Sequence, residues 1–320
     1  MQSVTINKND AGMRLDKFLT KTYPNLPTSM MYKAIRKKDI KLNGKRCEIS
    51  TKLNVGDVLT MYLKDEFFER ATEEKYDFLK APNKLTIIYE DENIILLDKK
   101  PGLLVHPDDT YHFDSLVARI TRYLYEKGEY DPKNENSFAP ALANRIDRNT
   151  GGIVIAAKNA QSLRVLNQKI KDRELQKLYL CLVHGHMEKK EDTLEAYLEK
   201  NENQNRVYIF DKKKEGALTI RTKYRVLEEK KKGSLLEVDL LTGRTHQIRA
   251  HLSHIGHALY GDGKYSTNKL NRNSGYPYQA LYSYKLKFKF TTDGDILEYL
   301  NGKSFESNNV WFLDKFHNEE

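Results

Sequence analysis

The arrangement of apolar runs between residues 85 and 290 constrains the fold more than any other feature. Strand-like runs occupy 86–89, 94–98, 152–157, 177–184, 219–227, 235–240 and 285–290. Helical spacing is confined there to 115–125, 160–171 and 245–254. Strands outnumber helices and do not alternate with them, which disfavours a doubly wound parallel sheet and predicts an α+β domain on a mixed, largely antiparallel sheet. Ahead of it, Leu15, Phe18 and Leu19 lie at helical spacing, and Thr28 is placed to cap a second helix carrying Met31 and Ile35 on its apolar face. Asn43-Gly44 signals a tight turn, and 55–63 reads as a strand. The expected organisation is a small α/β module at 1–64, a charged linker at 65–84, a main domain at 85–290 and an extension at 291–320.

Charge singles out the leading module. The net charge of +9 divides into +8 over residues 1–64, +6 over 65–290 and −5 over 291–320. Lys33, Arg36, Lys37 and Lys38 cluster on the second helix and just past its end, and Arg14 opens the first. A compact, strongly basic unit is what a polyanion-binding module looks like, because phosphate contacts draw on Lys and Arg. The competing reading is a Lys-rich surface that only keeps a protein in solution. No apolar run approaches the roughly 18 residues of a membrane span. The opening residues lack a basic flank followed by an apolar core, so no export signal is expected. Cys47 and Cys181 cannot form a disulfide framework, and a reducing cytoplasm is the natural setting.

Three polar clusters are placed to carry chemistry. Asn144-Arg145-Ile146-Asp147-Arg148-Asn149-Thr150-Gly151-Gly152 precedes an apolar strand. Arg145 and Arg148 bracket a single carboxylate, favouring its charged form as nucleophile or electrostatic stabiliser. Taken alone, this is equally a structural Arg–Asp pair. Thr242-Gly243-Arg244-Thr245-His246-Gln247-Ile248-Arg249 offers a helix start, with Thr245 as cap and Arg244 beside a site for RNA phosphate, and Arg249 one turn further on. Tyr179 alternates with apolar neighbours on a strand ending at His184-Gly185, where an aromatic is ordinarily core. His251, His254 and His257 recur every third residue and rotate apart around a helix, so no metal site is expected. There is no Gly-x-Ser-x-Gly elbow, Gly-x-Gly-x-x-Gly or P-loop, and no nucleotide cofactor is indicated.

In this order and spacing the clusters resemble the RluA-type pseudouridine synthases. The resemblance starts at Lys99-Lys100-Pro101-Gly102-Leu103-Leu104-Val105-His106-Pro107. It then takes in the Asp147 segment, Tyr179 with His184-Gly185, Ala217-Leu218-Thr219, Thr242 to Leu252, Ile255-Gly256-His257, Gly261-Asp262 and Tyr265. The leading module resembles the alpha-L RNA-binding fold of a small-subunit ribosomal protein, through Arg14-Leu15-Asp16, Ile35-Arg36, Leu42-Asn43-Gly44 and Val55-Gly56-Asp57. The resemblance implies a cofactor-free isomerase that turns uridine into pseudouridine in RNA. It makes Asp147 the catalytic aspartate, Arg249 its guanidinium partner, Tyr179 the residue that packs on uracil and a candidate base, and Arg145 the arginine associated with base extrusion.

Large-subunit ribosomal RNA is the expected substrate and transfer RNA the alternative, for a monomer with no membrane partner. Asn144 stands where that family usually has histidine, Gly151 where it has serine, and Tyr282 where histidine is frequent. A non-catalytic RNA-binding assembly factor on the same fold is the second hypothesis, and a histidine-based metal hydrolase the third.

Overall fold

The computed structural model describes residues 1–68, 74–108, 113–271 and 274–318. It divides into two compact units. One holds Met1–Lys84, His106–Ala141 and Ala157–Arg164; the other holds Leu85–Val105, Leu142–Ala156 and Val165–Glu320.

The first unit carries an antiparallel sheet in the order β1 (Gln2–Thr5), β4 (Val58–Met61), β2 (Ile40–Leu42), β3 (Lys45–Arg46). Helices α1 (Leu15–Thr22) and α2 (Thr28–Lys37) cover it, burying Leu15, Phe18, Leu19, Met31 and Ile35 against Ile40, Leu59 and Met61. Asn43 and Gly44 both take positive φ, 50° and 72°, as a two-residue hairpin turn demands. Thr28 does not cap α2. Pro27 holds the cap position without a side-chain bond, and Thr28 is the first helical residue. Helix α3 (Leu116–Glu126) belongs to this unit, capped by Ser115, whose Oγ accepts the Ala118 N–H at 3.3 Å. Much of the segment expected as a linker is folded. Tyr76 and Phe78, in the 3-10 helix Glu74–Lys80, set their rings on Tyr125 of α3 at 5.9 and 5.6 Å. A boundary at residue 64 therefore cuts through a compact body, because aromatic anchors inside a charged stretch leave no periodicity to read. Residues 69–73 of that stretch lie outside the described residues.

The second unit is built on strands β5 (Ile87–Glu90), β6 (Ile94–Lys99), β7 (Ala141–Leu142), β8 (Gly151–Ala157), β9 (Leu175–His184), β10 (Glu191–Asn201), β11 (Arg206–Phe210), β12 (Leu218–Lys230), β13 (Gly233–Leu240), β14 (Leu281–Phe288) and β15 (Ser304–Glu306). They form one sheet in the order β11-β10-β12-β13-β9-β14-β8-β6-β5, with β15 on β14 and β7 on β8. The pairing of β14 with β8 is parallel, while β9 pairs antiparallel with both β13 and β14. This is the mixed α+β sheet that the apolar runs predict. Helix α4 (Ala160–Lys171) has its first residues in the first unit and its remainder here, and α5 (Gln247–His254), α6 (Asn268–Asn271) and α7 (Leu313–Asn318) complete the set. Where β8 meets β14, Gly152 takes φ 113°, and a Cβ there would overlap the Ser283 carbonyl oxygen, so no other residue fits.

The acidic extension is not a solvated tail. Strand β15 adds to β14, and Val310, Phe312 and Phe316 bury themselves with Leu180, Tyr260, Tyr276 and Tyr282. Ser307 Oγ and Asn309 Nδ2 donate to Asp98 Oδ2 at 2.8 and 2.7 Å, and the Tyr282 hydroxyl donates to the other oxygen of that carboxylate. Net charge hid the widely spaced apolar residues that anchor this segment. Residues 319 and 320 lie outside the described residues.

Candidate active site

Asp147 sits in the segment joining β7 to β8. Asn144 Oδ1 accepts the Ile155 N–H at 2.8 Å, and the Thr150 N–H closes onto the Asp147 carbonyl at 3.0 Å, so both ends of the turn are tied. Lys99, 1% exposed at the end of β6, donates to the carbonyls of Lys100, Leu103 and Arg148 at 3.1, 2.8 and 2.8 Å. One ammonium thus braces the loop before Asp147's cleft and the turn that carries Asp147. Burial pushes its pKa down to about 7, with the Asp147 carboxylate working against the fall.

The carboxylate is held by one of its two oxygens. Arg249 Nη1, from the first turn of α5, donates to Asp147 Oδ2 at 2.6 Å. The same guanidinium grips the fully buried Asp262 by two bonds, Nε to Oδ2 at 2.7 Å and Nη2 to Oδ1 at 2.9 Å. Asp262 Oδ1 also accepts the N–H groups of Lys264 and Tyr265 at 2.8 and 3.0 Å, which fixes the bridge in place. Burial works against charge on both partners, and their mutual attraction overcomes it. Asp262 is held below the ordinary carboxylate range, and Arg249 is driven still further toward its charged form. Asp147 Oδ1 has no protein partner among the described residues.

Around this carboxylate lies a cleft of about 360 Å³ lined in part by Arg145, Lys177, Tyr179, Arg244, His246 and Leu281. Tyr179 sits mid-sheet on β9, paired with Val238 and Ser283 and 6% exposed. Burial first, and then the Asp147 charge, push its hydroxyl up to about 12, with Ser283 opposing. At neutral pH it is therefore a protonated phenol and an apolar wall, and a base role would need a proton acceptor to relieve it.

The structure sorts the other residues singled out from sequence. Arg145 and Arg244 are exposed at the cleft, and Arg148, also exposed, donates from Nε to the Gly102 carbonyl at 3.1 Å. In the first unit Lys33, Arg36, Lys37 and Lys38 all face solvent, whereas Arg14 is committed to a two-bond ion pair with Asp16. Thr245 does not cap α5. His246 holds that position, and Gln247 Oε1 takes the Arg244 N–H at 3.1 Å. Within the helix start itself the Gln247 N–H closes on the Arg244 carbonyl at 3.1 Å, and no side chain caps it. His251, His254 and His257 turn to different partners, Thr222 Oγ1, Asp211 Oδ1 and the His184 carbonyl. Sequence reasoning gave no role to Lys99, Asp262 or His246. Lys99 and Asp262 do lie in the strings that carry the family resemblance, the one signal that could have found them.

The chain is similar to known proteins over most of its length. Residues 93–254 match the model described as RNA pseudouridylate synthase, and residues 13–59 match the S4 domain. An uncharacterised RNA pseudouridine synthase of Mycoplasma genitalium is 33% identical over 286 residues, covering 88% of each chain. A protein of Vibrio cholerae named ribosomal large subunit pseudouridine synthase C is 31% identical over 276 residues, 85% of this chain and 82% of its own. Among solved structures, human RNA pseudouridylate synthase domain containing 4 superposes with a TM-score of 0.57 at 17% identity, covering 72% of this chain and 92% of that one.

Proposed function

We propose, from the premise that this chain belongs to the RNA pseudouridylate synthase family, that it isomerises uridine to pseudouridine in large-subunit ribosomal RNA with Asp147 as its catalytic carboxylate. One observation carries the reading: the Asp147 carboxylate is tethered through Oδ2 to a guanidinium that a buried second carboxylate immobilises, while Oδ1 faces a cleft walled by Tyr179. A carboxylate fixed in that way meets an electron-poor ribose carbon without paying for reorientation as charge develops. The bond from ribose to uracil N1 breaks, the base turns, and carbon 5 rejoins the sugar. Carbon 5 gives up a proton and N1 takes one, so the product is an isomer.

The target nucleotide must leave its stack to reach the cleft, at a cost of a few kcal/mol. Exposed Arg145 at the cleft mouth is placed to fill the gap, and Arg148 and Arg244 to hold flanking phosphates. The S4 domain, with Lys33, Arg36, Lys37 and Lys38 on its surface, supplies affinity for RNA. Every residue lining the cleft comes from the second unit. No helix among the described residues is long and apolar enough to cross a membrane, in keeping with work in the cytoplasm.

The test is a map of pseudouridines across cellular RNA in cells carrying the wild-type gene or Asp147→Ala. A large-subunit ribosomal site that disappears with the variant supports the proposal. Loss at a transfer RNA site instead would redirect the substrate, and an unchanged map would remove Asp147 from the reaction.

A further inference from the structure

A second arm of the cleft has no part in the roles given above. His246 stands just before α5 in left-handed backbone, φ 52°, where a histidine is strained and persists only if its surroundings enforce it. Its side chain does not cap the helix and is only 10% exposed. Nδ1 lies 2.8 Å from the Tyr265 hydroxyl oxygen, and Nε2 lies 3.8 Å from Asp147 Oδ2.

The Tyr265 hydroxyl oxygen accepts the Val207 N–H at 3.0 Å, and the 2.8 Å bond it shares with His246 Nδ1 runs in the direction that the imidazole tautomer sets. With one lone pair taken by Val207, the hydroxyl is placed to donate its own proton to Nδ1, and in that tautomer the neutral ring carries its proton on Nε2, the nitrogen turned toward Asp147. At 3.8 Å that N–H makes no hydrogen bond to Oδ2, which Arg249 already holds at 2.6 Å. The donor is left for whatever enters beside the carboxylate.

We propose that His246 is a substrate-facing donor of the isomerisation, whose Nε2–H holds a carbonyl oxygen of the detached uracil, and that Tyr265 is the positioning residue that sets its tautomer. The inference deepens the reading of Asp147 as catalytic carboxylate and rests on it. When the N1–ribose bond breaks, its electron pair stays with the base and spreads onto the two carbonyl oxygens. A neutral donor stabilises that anion without protonating it, and leaves the pair free to form the new bond at carbon 5.

Several charged and titratable groups surround the ring: Asp147 on its turn, Arg249 on α5, Asp262, Lys264 and Tyr265 after it, and Arg206 stacked over Tyr265. Burial keeps the imidazole below its ordinary range, with Arg249 and Lys264 in support and Asp147 and Asp262 opposed. Protonation at low pH would cost Nδ1 its bond from Tyr265 and turn the ring into a cation that captures Asp147.

The test measures single-turnover tritium release from unmodified large-subunit ribosomal RNA transcribed with 5-tritiated uridine, using the full chain across a range of pH. His246→Ala should slow release roughly 100-fold or more, with RNA affinity unchanged. His246→Gln, whose amide N–H can stand where Nε2–H stands, should recover most of the rate and lose the acid limb due to the ring. Tyr265→Phe should move that limb to higher pH, because the neutral ring loses its donor. A wild-type rate in His246→Ala would overturn the proposal. So would a His246→Gln variant as slow as His246→Ala with thermal melts like wild type. Full activity in Asp147→Ala would instead overturn the underlying reading, whatever His246 does.

Discussion

Replacing Arg249 with Met separates what this guanidinium does for the fold from what it does for the reaction. The side chain makes three charge-assisted bonds, two to Asp262 and one to Asp147, and is 8% exposed. Met fills a similar volume but leaves the fully buried Asp262 carboxylate with only its two backbone N–H donors. Removing one partner of a buried pair costs roughly 3–5 kcal/mol. Adding Asp262→Asn should recover much of that loss. The amide oxygen can still accept from Lys264 and Tyr265, the stranded charge is gone, and a residual cost of about 1–2 kcal/mol remains. Trp311 is the single tryptophan and packs in the second unit, so urea unfolding followed by its fluorescence reads the unit that holds the site. The rate should not follow stability. Both the single and the double variant should lose roughly 100-fold or more in single-turnover isomerisation, because neither presents Asp147. If the double variant regained activity together with stability, Arg249 would be a structural strut and the tethered-carboxylate argument would fail.

Three further outcomes are expected. Changing Lys33, Arg36, Lys37 and Lys38 together to Ala should weaken RNA binding and lower the salt slope of log affinity by up to about 3–4, with the rate at saturating RNA unchanged; filter binding at several salt concentrations reads this, and an unaltered slope would take α2 off the RNA. Gly151→Ser should destabilise by roughly 1–3 kcal/mol, since a Cβ there enters the Tyr282 ring, and Tyr282→His in the same chain should restore most of the loss in thermal melts. Glu174 is pulled down to about 2 by its bond from Lys169, so its folded pKa lies below the unfolded one. Its stabilising effect is complete above roughly pH 5 and is lost as pH falls toward 2, and Glu174→Gln should make the urea midpoint less dependent on pH across that window.

Much of the site was legible before any coordinates because it is local. Asp147 and its flanking arginines lie within a few residues of one another, and the strands behind them are plain apolar runs. What escaped notice depends on closures that spacing cannot express. Asp262 meets Arg249 across 13 residues of chain, and Lys99 finds its acceptors in backbone carbonyls, which no motif records. Strands β10 and β11 were missed for a different reason: Leu194, Ala196 and Leu198 alternate inward, but the residues between them are largely charged or polar and swamp the pattern. His246 gives no signal in the sequence, since a left-handed backbone leaves no mark on a non-glycine residue. Tyr282 and Gly151, noted as departures from the family, prove to be neighbours, one filling the space that the other leaves open.

The contacts that Ser307 and Asn309 make with Asp98 carry a consequence for how this chain is made. The residue after Asp98 is Lys99, the brace of the Asp147 turn, so the end of one strand holds both the support under the cleft and an anchor for residues more than 200 positions further on. A ribosome that stalls before residue 307 would release a polypeptide with its S4 domain complete and its catalytic sheet unsealed. Such a fragment would keep the basic surface of α2 while lacking the residues that close on Asp98.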